Sequence, residues 1–184
     1  VSAINASLGT LGQYRGMADR QPAFKLTEKA PDHVVFSQGE AVEHPDLKAL
    51  LALWNEKRCE RRMPMRADFT PHDMRTYLRR IHLYDVLDHG RNFRIRVMGT
   101  SLTIGLGSDP TGKLITEHPD TQAGHRFMLI LQHVVSVGRP VRVVADHLIP
   151  ERLSTMQTEA LWLPLGEKSV EQVLAASIIA LNRY

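Results

Sequence analysis

VEQVLAASIIALN, Val170 to Asn182, is the stretch whose reading decides the fold. It has the length of one strand, and apolar residues occupy both of its alternating faces. A strand in a sheet with one wet face would alternate apolar with polar. The strand candidate before it, QTEALWLPL at 157–165, carries the same signal, because Leu161, Trp162 and Leu163 are consecutive. GEKS, at 166–169, is a tight turn between the two. These segments therefore belong to a sheet covered on both sides, and the chain must supply two covers.

Working back from there, VRVVADHL (141–148) is a third strand. A helix from about Asp120 to Val137 precedes it, with Phe127, Ile130, Leu131, Val134 and Val135 as one apolar stripe. Gly138 ends that helix before Pro140. FRIRVM alternates Phe93, Ile95 and Val97 with Arg94 and Arg96. Through the DHGRN turn it pairs with a strand near His82–Leu87, making a hairpin. Ahead of the hairpin, Thr70 can cap a short helix with Pro71 and Asp73 following, and Met74, Tyr77, Leu78 and Ile81 share its face. The second cover is a helix opening at Pro45-Asp46, whose Leu47, Leu50, Leu51 and Trp54 fall at i, i+3, i+4 and i+7. Residues 1–44 are punctuated by Gly, Ser and Pro and read as a partly flexible extension. Residues 45–184 form a single domain. The predicted architecture is α+β: a five-stranded antiparallel sheet, helices across one face and the N-terminal helix on the other.

Composition narrows the function classes. The 184 residues are 43% hydrophobic, enough for a core, yet no apolar run approaches the ~18 residues of a membrane span. VSAINASLGTLGQYRG at the N-terminus lacks the basic start and apolar centre of a signal peptide. A single cysteine, Cys59, excludes an internal disulfide and a Cys-rich zinc site, and points to the cytoplasm. Net charge is only +3, but ten arginines face five acids between Arg58 and Arg96. Lys57 to Arg66, KRCERRMPMR, is the densest part. Such a patch can meet phosphate, nucleic acid or an acidic protein; without interleaved aromatics or a nucleic-acid motif, a solvated helix end is the plainer reading.

GSDPTGKL, Gly107 to Leu114, is seven-eighths of a phosphate-binding loop. Leu114 stands where a metal-binding hydroxyl is needed, Pro110 removes a cradle N–H, and His118-Pro119 stops any helix at once. A Gly-flanked turn between short helices fits better. Asp85, Asp88 and His89 could pair for acid–base work, but they cluster at a hairpin turn where such residues serve turn chemistry. His147 on an apolar strand is the remaining candidate base. No nucleophile elbow, paired-His zinc motif or Cys/His dyad occurs, so neither an enzyme nor a metal site is expected.

The run W…R…R.MPMRADFTPHDM…L..IHLYDVLD…FRIRVMGTSLT…G.DPTGK, Trp54 to Lys113, resembles the compact PAS domains that stand alone in short bacterial chains. The order of helices and strands over about 45–182 agrees with that family. The resemblance implies sensing: a ligand between sheet and helices, or docking to a signalling protein such as a histidine kinase. It places a cavity among Met98, Leu102, Phe127, Ile130, Val134, His147 and Trp162. A flavin photosensor would need a Cys in a helix after the hairpin, and Cys59 lies before it. A haem version would use His125 or His133 on the long helix. The broad stripe Leu47, Leu50, Leu51 and Trp54 is the candidate homodimer or partner face. The rival classes are a small-molecule enzyme and a nucleic-acid-binding protein on the same scaffold.

Overall fold

The computed structural model describes residues 4–5, 34–106, 108–118, 121–146 and 156–181. In chain order these form β1 (Ile4–Asn5), β2 (Val34–Gln38), α1 (Pro45–Arg58), α2 (Pro71–Met74), β3 (Ile81–Leu87), β4 (Asn92–Met98), α3 (Thr100–Leu106), α4 (Thr121–Val137), β5 (Val141–Asp146), β6 (Met156–Leu165) and β7 (Gln172–Leu181). The sheet order is β1-β2-β5-β6-β7-β3-β4, and every neighbouring pair is antiparallel.

The two-sided apolar strands do take two covers. Alternation along β6 sends Trp162 to one face and Leu161 and Leu163 to the other. On the inner face, Tyr84, Phe93, Ile95, Val143, Trp162 and Val173 pack with Phe127, Ile130, Leu131 and Val134 of α4. On the outer face, Ile81, Leu83, Leu161, Leu163 and Leu174 pack with Leu47, Leu50, Leu51 and Trp54 of α1, joined by Met63, Phe69 and Met74. Each fully buried Leu or Phe contributes roughly 1.5–3 kcal/mol, so both covers matter to stability.

Polar contacts seat α1 on the sheet. Glu159 accepts from the backbone N–H of Glu43 at 2.7 Å and of His44 at 3.0 Å, and from Arg142 Nε at 2.7 Å. Burial works to raise this carboxyl, but Arg142 and the two N–H groups hold it below its ordinary value. His44 caps the helix by accepting from Asp46 N at 3.2 Å, with Pro45 next in line. At the other end of the contact, Trp54 Nε1 donates to Pro164 O at 3.0 Å. The expected cap at Thr70 forms too: Thr70 Oγ1 accepts from Asp73 N at 3.2 Å, and Asp73 accepts from Thr70 N at 2.8 Å.

The structure differs from the sequence reading in three places. The sheet is wider than five strands, because β2 joins β5 at its edge and β1 pairs with β2. Val34 and Phe36 of β2 face the inner core, so part of the presumed extension is sheet. After its single turn, α2 gives way to turns, and Leu78 points outward, 54% exposed, instead of sharing the buried face of Met74.

The phosphate-loop look-alike closes a sheet edge. Gly112, at φ 89°, donates its N–H to Ile95 O at 2.7 Å, and Ile95 N donates to Lys113 O at 2.9 Å. Thr111 N donates to Asp109, Lys113 N to Pro110 O and Leu114 N to Glu117. The N–H groups of Thr111, Gly112, Lys113 and Leu114 are thus spent, and the free edge of β4 is blunted. The basic stretch is also used internally. Lys57 pairs with Asp73, Arg61 pairs with Asp68, Arg58 lies over Trp54, and Arg66 donates to Phe69 O. Among the described residues no helix is long and apolar enough to cross a membrane.

Candidate functional site

Strand alternation places His82 and Tyr84 side by side on the inner face of β3. β7 runs next to β3 and brings Ser177 to them. His82 Nε2 is hydrogen-bonded with Ser177 Oγ at 2.9 Å, and His82 Nδ1 with Tyr84 Oη at 3.2 Å. All three are buried. Burial alone drives the His82 pKa down to about 3, so the imidazole is neutral at ordinary pH, and it pushes the Tyr84 phenol well up.

An aromatic group surrounds this trio. Tyr84 and Trp162 stack with ring centroids 5.7 Å apart and planes 19° apart. His82 meets the Trp162 ring edge-on at 5.5 Å, and Phe127 comes down from α4 at 6.2 Å. Trp162 is 0% exposed, yet its Nε1 has no hydrogen-bond partner. A buried indole donor nearly always finds an acceptor. The inner face is therefore an apolar, aromatic wall with one open donor and a neutral polar trio beside it.

Most of the expected lining residues meet here. Met98, Leu102, Phe127, Ile130, Val134 and Trp162 all belong to the inner core. His147 lies outside the described residues. His125 and His133 of α4 are half-buried and lowered in pKa by burial; the His133 ring packs on Phe36 at 4.6 Å, towards β2. The sequence reading missed His82, Tyr84 and Ser177. The spacing of His82 and Tyr84 within IHLY was a usable signal, but Ser177 is joined to them only by register. His118 and Arg126, also buried, were missed as well.

The other candidates do not converge. Asp85 is bound by Arg96 Nε at 3.0 Å and Gln172 Nε2 at 2.6 Å. Asp88 and His89 sit in the hairpin turn at φ 48° and 58°, on a groove of about 450 Å³ shared with Val86, Arg91, Ser169, Val170 and Glu171. Cys59 is exposed, with Sγ against Glu56 O. Among the described residues no three His, Cys, Asp or Glu side chains are grouped to hold a metal. Leu47, Leu50, Leu51 and Trp54 are buried in the chain's own outer core. A two-fold contact through them would have to open that packing.

No curated protein and no solved structure shows a significant match to the chain. A profile of the PAS domain family matches residues 42–180, about three quarters of the chain. The matched span runs from just before α1 into β7, and so contains both covers, five strands of the sheet and the whole His82–Tyr84–Trp162–Ser177 group. With helices on an antiparallel sheet as that family requires, the chain belongs to the PAS domain family.

Proposed function

We propose that this chain is a sensory and regulatory PAS protein that has no catalytic chemistry of its own. It holds a small ligand against the inner sheet face and passes its state to a separate signalling protein. The observation that carries the ligand half is the buried, unpaired Nε1 of Trp162. A donor left dry in a core costs about 1–3 kcal/mol, a cost that an acceptor brought by a ligand removes. Around it the wall is aromatic and aliphatic, with His82 neutral, which suits an uncharged, largely apolar or planar molecule bearing one acceptor.

The regulatory half rests on the family, whose members are sensory modules. Within the basic stretch at 57–66, Lys57 and Arg61 are paired with carboxylates and Arg66 donates to a carbonyl, which weakens the case for nucleic acid as the partner. The lone exposed Cys59 fits a reducing compartment such as the cytoplasm.

Native mass spectrometry of protein isolated from its own cells tests the ligand half. The expected result is a non-covalent adduct that leaves on denaturation and is carried at lower occupancy by Trp162→Phe. Identical native and denatured masses in the wild type remove it. Turnover of a released adduct by the protein would move the reading to an enzyme.

A further inference from the structure

In the densest basic stretch Lys57 and Arg61 are paired with Asp73 and Asp68, and a second group of cations lies elsewhere. β4 is the last strand of the sheet, and Arg94, Arg96 and Val97 on it are exposed. The ladder shifts register between Leu83 and Tyr84. Arg96 is thereby an extra residue, and Val97, opposite buried Leu83, lies on the outer face, 39% exposed. The turns at 75–80 adjoin the same strand end, through Gly99 N donating to Ile81 O at 2.7 Å and Ser101 N to Arg79 O at 2.9 Å. Gly99 is required there, since a Cβ would strike the carbonyls of Arg79 and Ile81. This close approach brings exposed Arg79, with exposed Leu78 beside it in the chain, to the end of β4, and exposed Arg75 lies earlier in the same turns.

Charge is unbalanced across this surface. Of Arg75, Arg79, Arg91, Arg94 and Arg96, only Arg96 meets a carboxylate among the described residues, that of Asp85. Asp85 is engaged by Arg96 and Gln172, Asp109 accepts from Thr111 N and Glu117 from Leu114 N, while Asp88 and Glu171 share a groove with Arg91 at the turn end of the hairpin. Leu78, next to Arg79 in the chain, and Val97, next to Arg96, are the exposed apolar side chains of these two segments. Free guanidinium groups match carboxylates in bidentate geometry and speed encounter with an acidic surface.

We propose that the outer face of the β3–β4 hairpin docks an acidic segment of a partner protein that sets an apolar side chain against Val97 and Leu78. The inference rests on the regulatory reading above and names its surface and the partner's chemistry.

The test is fluorescence anisotropy with short labelled peptides. One alternates Glu and Leu, a second alternates Gln and Leu, and a third alternates Glu and Ser; a short oligothymidylate is the nucleic-acid probe. The full chain should bind the Glu–Leu peptide at least about tenfold more tightly than any other probe, with affinity falling as salt rises. Arg94→Glu with Arg79→Glu, and separately Val97→Ser, should each weaken that binding about tenfold at unchanged melting temperature. Arg94→Lys should keep most of it. The proposal is overturned if the Glu–Leu peptide fails to bind at ~1 mM, if the folded variants bind it as the wild type does, or if the oligothymidylate binds as tightly. The probes bypass the inner face, so a negative result removes this surface and leaves the ligand reading to the mass measurement.

Discussion

Replacing Trp162 by Phe separates two roles of one side chain. The aromatic ring remains, so the stack on Tyr84 at 5.7 Å and the contact with Phe127 at 6.2 Å largely survive. The indole-to-phenyl change leaves a void of ~40 Å³, which at about 24 cal/mol per Å³ costs ~1 kcal/mol. Against this, the unpaired Nε1 donor disappears, which returns about 1–3 kcal/mol. Ligand-free Trp162→Phe is therefore expected to be within ~1 kcal/mol of the wild type, or more stable. Ligand affinity should move the other way. One lost hydrogen bond of ~1–1.5 kcal/mol means about five- to tenfold weaker binding. Urea unfolding followed by far-UV circular dichroism, on protein stripped by unfolding and refolding, gives the first quantity. Adduct occupancy by native mass spectrometry gives the second. A stripped variant less stable than the wild type by more than ~3 kcal/mol would mean the donor is satisfied in solution, and the reasoning fails. Unchanged adduct occupancy would refute it equally.

Three further outcomes follow from the packing and the charges. Leu50→Ala, at a 0% exposed position on the sheet-facing side of α1, should cost about 2–5 kcal/mol in urea unfolding, and a loss under ~1 kcal/mol would mean α1 is not a structural cover. His82 stays neutral in the fold down to about pH 3, whereas the unfolded chain takes up that proton near pH ~6.5. Its folded pKa is depressed, so stability should decline as pH falls through this window, by up to ~1.4 kcal/mol per unit. His82→Gln should flatten the decline measured at pH 7, 6, 5 and 4; parallel curves would contradict the burial. Asp73 is held down to about 2, first by the Thr70 N–H and then by Lys57. Its contribution is therefore present above its unfolded pKa of ~3.9 and lost as pH falls towards 2. Asp73→Asn should remove that part of the acid transition, as read by urea midpoints between pH 5 and 2, and an unaltered acid limb would contradict the capping role.

Much of the fold was legible because its signals are periodic. Leu47–Leu50–Leu51–Trp54 and the Phe127–Val134 stripe announced α1 and α4, and the unbroken apolar character of β6 and β7 required both. β2 was missed because five residues after a Pro-punctuated stretch carry only one alternation, Val34 to Phe36, and an edge strand shows little more. Leu78 was assigned to a helical face that the chain leaves after Met74, because a capping box fixes where a helix starts and not where it stops. That Met98, Leu102, Phe127 and Trp162 share one core is legible from stripe and strand. The polar trio could not be guessed in full, since His82 and Ser177 lie 95 positions apart and meet only through the β3–β7 register. An unpaired donor such as Trp162 Nε1 is a property of surroundings, and no spacing rule reveals it.

The chain's two tryptophans offer the most direct measurement. Trp54 Nε1 donates to Pro164 O and serves as an internal control, whereas Trp162 Nε1 is open. In a ¹H–¹⁵N spectrum of the stripped protein, each gives one indole resonance. If the inner face is a ligand site, titration with the small-molecule fraction of the source cells will move the Trp162 resonance saturably and leave that of Trp54 in place. If the Trp162 resonance stays fixed, or both shift together in proportion, the inner face is not where this protein senses.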